Sequence, residues 1–171
     1  MPAIAYGEGD SALRRTRITA VLSAALLASA LAVIAAPTAQ ADDFDNLYSE
    51  QVCNENWGGS SFKFHIWYNS GQNGSFRNIG SSVYDFNALR PGDGHAYPLK
   101  FCNFGASSPW PGSGQNIKNN AASGENDHYK YTARVFFYSG YKGAQDVMAP
   151  YQHIDQFRNV YNNNASFQWT S

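Results

Sequence analysis

Two segments of this chain repeat each other 69 residues apart, and each alternates apolar with polar residues before running into a glycine-marked turn. Phe62, Phe64, Ile66 and Tyr68 stand in register with Tyr131, Ala133, Val135 and Phe137. Lys63, His65 and Trp67 interleave the first set, and Thr132, Arg134 and Phe136 the second. A period of two marks a strand with one buried face. Phe62, Phe64, Tyr68 and Phe137 are therefore expected in the core, with His65, Trp67 and Arg134 pointing outward. Ser70-Gly71-Gln72-Asn73-Gly74 and Ser139-Gly140-Tyr141-Lys142-Gly143 follow, with both glycines in register. Glycine adopts positive φ without steric cost, so this spacing predicts a tight, folded-over hairpin in each copy.

The copies also end alike, in Asn119-Asn120-Ala121-Ala122-Ser123 and Asn162-Asn163-Asn164-Ala165-Ser166. The first copy is longer by about 20 residues, and the excess lies between Arg90 and Gln115. That stretch holds Pro91, Pro98, Pro109 and Pro111 among several glycines, a composition that predicts an irregular loop. Short helical turns are expected only at Ser81 to Leu89 and at His153 to Phe157.

The chain opens with Arg14, Arg15 and Arg17, an apolar run from Ile18 to Ala36, and Ala39-Gln40-Ala41. This is the layout of a cleavable secretion signal, with cleavage expected after Ala41. Residues 1–41 are then removed and 42–171 form a single exported domain, with no membrane attachment after cleavage. An even cysteine count in an exported chain reads as a disulfide, so Cys53 and Cys102 are expected to be joined, tethering the long loop. Removing the leader leaves a formal charge of about −2 and no run of either sign, which offers nothing to nucleic acid.

The segment from Phe136 to Gly143 fits the aromatic-x4-aromatic-x-Gly signature of the βγ-crystallin Greek key. Phe136 and Tyr141 are its aromatics, Gly143 its glycine and Ser166 its serine. In the first copy Trp67 and Gly74 fit, whereas Gln72 stands where the second aromatic belongs. With its signal and its cysteine pair, the chain resembles the secreted bacterial metalloproteinase inhibitors that use this fold. The resemblance implies an all-β, βγ-crystallin-like sandwich of two Greek-key motifs, about 53–124 and about 129–171, the first carrying the disulfide-tethered loop. It also implies a monomer that inhibits an extracellular protease. The loop residues Phe104, Pro109, Trp110 and Pro111 are the candidates to enter the protease cleft.

Catalysis is not expected. The four histidines lack metal-ligand spacing, no serine stands in G-x-S-x-G, and the carboxylates are scattered. His65 reads as a solvated strand residue. No cofactor is expected. In βγ-crystallin modules a pattern related to the N-N-x-x-S elements supplies oxygens to calcium, which makes Asn119, Asn120, Ser123, Asn162, Asn163 and Ser166 candidate ligands. Gly124 and Phe167 replace that pattern's final serine and no carboxylate is present, so calcium binding is expected to be weak. In the competing reading, Ser123 and Ser166 instead hydrogen-bond the folded hairpins. The remaining alternatives are a structural module and a cell-wall or carbohydrate binder, with Trp67, Trp110 and Tyr97 as exposed stacking platforms.

Overall fold

The computed structural model describes residues 36–171, and the side chains of 42–171. Of the expected signal peptide, residues 1–41, residues 1–35 lie outside the described residues. The proposed cleavage point after Ala41 falls inside a helix, α1 (Ala36–Tyr48). No helix among the described residues is long and apolar enough to cross a membrane.

Seven strands follow: β1 (Phe64–Asn69), β2 (Asn73–Ile79), β3 (Ser123–Asn126), β4 (Thr132–Tyr138), β5 (Lys142–Met148), β6 (Gln152–Ile154) and β7 (Ser166–Thr170). They build two antiparallel sheets with strand orders β2-β1-β3-β6 and β5-β4-β7. Each sequence copy opens with its folded hairpin, β1–β2 or β4–β5, and closes with a strand beside the hairpin's first strand. Between these it gives a segment to the other sheet. β6 of the second copy pairs with β3, and Val83 of the first copy bridges to Phe167 in β7. Two Greek keys that exchange a strand in this way cannot separate without breaking both sheets. The β sandwich of two Greek-key motifs that the resemblance implies is present, preceded by helix α1.

The two inner faces meet in one core. Phe64 of β1 and Phe167 of β7 stack with ring centroids 4.0 Å apart, and Ile66, Val135, Phe86 and Phe157 close around them fully buried. Ala133 and Val135 face inward as the alternation required, but Phe137 is only partly buried against this core. Phe62 precedes β1 and is also only partly buried.

The outward assignment of His65 and Trp67 is overturned. Both are buried, Trp67 at 1% exposure, because the segment before β1 folds over the outer face of its sheet. Short 3-10 helices at Glu50–Cys53 and Trp57–Gly59 make up part of that cover. Helix α1 is pinned by the buried Arg77 guanidinium, which donates to the carbonyls of Asn46 and Leu47 at its C-terminal end. A cation there also complements the helix dipole. Of the short turns expected, Ser81 to Leu89 holds a single one, closed by the Ala88 amide on the Asp85 carbonyl, and none forms at His153 to Phe157, where His153 is in a strand.

The two spacings locate the insertion. Phe86 donates to the Ala165 carbonyl and Phe157 to the Ala122 carbonyl, so the copies run 71 residues apart at Phe86 and 43 apart at Ala122. The difference, 28 residues, is the inserted loop. Its middle is not free surface. Leu99 and Phe101 enter the main core, and Cys102 and Phe104 form a second buried cluster with Trp67 and Phe76.

Candidate functional site

Both hairpin corners are built alike. Gln72 (φ 49°) and Tyr141 (φ 61°) occupy the same position with left-handed backbone, each flanked by glycines at positive φ. A serine from the closing strand locks each turn. The Ser123 hydroxyl accepts from the Gln72 amide and donates to the Asn69 carbonyl, and Ser166 does the same with Tyr141 and Tyr138.

The side chains at that position differ, and the difference opens a site. In the second copy the Tyr141 ring lies 6.0 Å from Phe136 and closes the corner. In the first copy Gln72 turns its amide to the Ile154 carbonyl, at 3.3 Å, and leaves the corner above Trp67 without its second ring. A cleft of about 340 Å³ lies there. Its floor is Trp67 and Phe76, and its walls are Trp57 and Trp110, each 40% exposed. Trp57 stands at 87° to Trp67 and 74° to Phe76, a wall rising from a floor. Trp110 rests on buried Phe104, whose ring packs on Phe76. Glu55, Gln72 and Asn73 supply the polar rim, and Glu55 is the only charged lining residue among those described.

The disulfide fixes both walls. Cys53 and Cys102 are joined, with Cα atoms 5.6 Å apart, and Trp57 follows one cysteine by four residues while Trp110 follows the other by eight. The loop is further tied to β2 by the Ser75 amide on the Pro111 carbonyl at 2.8 Å and by the Cys102 amide on the Phe76 carbonyl at 3.0 Å. This close approach explains Gly74 and Gly112. A Cβ at Gly74 would meet the Pro111 carbonyl at 2.9 Å, and one at Gly112 would overlap the Tyr68 ring.

Of the four loop candidates, Pro109, Trp110 and Pro111 are exposed at the tip, whereas Phe104 is buried at 5% exposure and cannot enter a partner's cleft. Nor is the tip extended. Ser108 donates to Gly105, Trp110 to Phe104 and Ser113 to Trp110, curling it into successive turns. Among the three glycan-stacking candidates Trp67 is buried, and Tyr97 is partly buried with its hydroxyl bound to Asp93, leaving Trp110. Sequence reasoning missed Trp57 and Phe76. The one signal for Trp57 was its nearness to Cys53.

The N-N-x-x-S elements face each other. The Asn119 amide donates to the Asn164 carbonyl and the Asn162 amide to the Ala121 carbonyl, a second pseudo-symmetric pair. Asn120 and Asn163 turn their side-chain amides to the nearby Asn116 and Tyr161 carbonyls. The serine oxygens are committed to the hairpins, and they are fully buried. Among the described residues no cluster of His, Cys, Asp or Glu could hold a metal ion.

Behind the Trp57 wall, Asn78, His65, Glu125 and His153 align across the four-stranded sheet. Asn78 donates its amide to the Gln51 and Asn54 carbonyls, so its oxygen faces His65 Nδ1, at 2.8 Å. With Nδ1 donating to that oxygen, Nε2 is a buried acceptor without a hydrogen-bond partner among the described residues. Burial pushes its pKa down to about 4. The Glu125 carboxyl is raised by burial and then by Asp127, while the Trp57 side chain opposes the shift.

No protein-family model matches the chain. No curated protein matches it either. Among solved structures, the N-terminal domain of Protein S is similar at 13% identity over 64% of this chain and 96% of its own, with a TM-score of 0.41. A βγ-crystallin domain from Flavobacterium johnsoniae is similar at 12% identity over 63% and 93%, with a TM-score of 0.40. A chain solved in connection with the evolution of the eye-lens βγ-crystallin domain fold is similar at 12% identity over 64% and 86%, with a TM-score of 0.44.

Proposed function

We propose that this chain is an exported, non-catalytic binding module of βγ-crystallin type that engages its partner through the cleft between Trp57 and Trp110. One observation carries the reading: two half-exposed indoles are fixed on either side of an open hairpin corner by a disulfide and a buried aromatic cluster. Rigid aromatic walls give up little entropy on binding. The buried His65 beside the cleft is spent on Asn78 within the fold.

The test compares the parent with a Trp57→Ala/Trp110→Ala double variant in binding to defined targets, namely purified extracellular proteases and insoluble cell-wall glycans. Loss of binding in a folded double variant supports the cleft. Undiminished binding removes it from the function.

Inhibition of an extracellular metalloprotease is the second reading. The exposed Pro109-Trp110-Pro111 tip favours it, since two prolines and the anchored Pro111 carbonyl make the tip rigid. Because Phe104 belongs to the core, the informative change replaces only residues 105–110 with a Gly-Ser linker. Loss of inhibition by 2 kcal/mol or more, about the level of a hot spot, supports this reading, and equal inhibition sinks it.

A further inference from the structure

We infer that the cleft is an aromatic cage for a quaternary ammonium group, held by indole faces and by the charge of Glu55. The inference rests on the cleft being a binding site, as proposed above, and names the chemistry of its occupant.

Three features select a cation. Both walls are indoles, each 40% exposed, whereas the floor rings Trp67 and Phe76 are covered to within 2%, so a small group entering the corner meets the exposed surfaces of Trp57 and Trp110. Aromatic faces carry negative electrostatic potential, and tryptophan attracts cations most strongly. Among the described residues the exposed Glu55 is the only charged one lining the cleft, and Lys63, the one basic residue between 42 and 63, is diverted. Lys63 donates to the Gly58 carbonyl at 3.0 Å and lies 3.7 Å from Asp127, so its charge is already paired.

The rim argues against a sugar. A pyranose needs donors and acceptors around its edge. Here Gln72 spends its amide on the Ile154 carbonyl, and the Asn73 oxygen accepts from the Gly74 amide at 2.6 Å. A quaternary ammonium has no N–H to donate, demands no hydrogen-bond acceptors and is satisfied by rings and one carboxylate. The cleft exists because Gln72 stands where the symmetric corner has Tyr141, which yields a direct control: Gln72→Tyr should rebuild the closed corner, as tyrosine already adopts this backbone conformation at Tyr141.

Choline is the probe, with uncharged 3,3-dimethylbutan-1-ol as its isostere and a soluble chitin hexamer as the sugar arm, each titrated against the tryptophan fluorescence of the purified protein. Saturable quenching by choline is expected, with the isostere at least tenfold weaker. Trp57→Ala, Trp110→Ala and Gln72→Tyr should each weaken choline at least tenfold, and Glu55→Gln severalfold, in variants whose circular dichroism matches the parent. Equal affinity for choline and the isostere, or binding of the hexamer without choline, overturns the cation while leaving the cleft as a site. Failure of all three probes, with Gln72→Tyr indistinguishable from the parent, overturns the cage and removes support for the cleft.

Discussion

The Ser123 hydroxyl accepts a hydrogen bond from the Gln72 amide, 51 residues away in sequence, at 3.2 Å. It also donates to the Asn69 carbonyl, and Ser166 repeats both contacts in the second hairpin. Removing either hydroxyl strands two backbone groups at a left-handed turn. Ser123→Ala and Ser166→Ala should each cost about 1–3 kcal/mol in urea denaturation. The losses should be similar with and without added calcium, because these oxygens are occupied by the hairpins. A loss seen only with calcium would instead make the serines ligands.

Cys53 and Cys102 close a sequence separation of 49 residues. Reduction should lower stability by about 4 kcal/mol in the chain-entropy model. Because the bond holds both cleft walls, Trp57 and Trp110 should also gain solvent access, read as a red shift of tryptophan emission. An unshifted spectrum in reduced, folded protein would show that packing alone fixes the walls.

Burial separates two phenylalanines that alternation treats alike. Phe64 is fully buried against Phe167, whereas Phe137 is only partly buried. Phe64→Ala should cost about 3–5 kcal/mol and Phe137→Ala clearly less. Arg134 lies on the outer face, with its guanidinium bound to Thr170 and Gln145, and its replacement by alanine should cost under about 1 kcal/mol. Equal losses at Phe64 and Phe137 would contradict the packing.

His65 links stability to pH. Its folded pKa lies near 4 against 6.5 for the free side chain, because burial disfavours the charged ring. Between those values the unfolded chain takes up a proton that the folded protein refuses, so stability is full above about 6.5 and falls as pH drops toward 4. The loss is on the order of 3 kcal/mol. Denaturation at pH 7 and pH 4.5 should show a smaller pH difference in His65→Asn than in the parent. An unchanged difference would assign the acid sensitivity to other groups.

The repeat was legible because it is local. Alternation around Phe64 and Val135, the glycines flanking Gln72 and Tyr141, and the recurring Ser123 and Ser166 are each set by short-range backbone geometry, so the opening strand of each copy, the folded hairpins and the cysteine pair could be read in order. The sequence also recorded that Gln72 breaks the aromatic pattern. What that break means was decided only in three dimensions. The alternation around His65 and Trp67 says that a second face exists, not whether anything covers it. The cover comes from residues 46–60, joined by a disulfide to a loop 49 residues on, and no period in the sequence announces that contact. The same long-range packing buries Phe104, leaves Trp57 and Trp110 half exposed, and brings them to the one corner that lacks a ring. A cleft is a relation among segments distant in the chain. Its walls were present in the sequence as residues, and tertiary contacts alone brought them to one cleft.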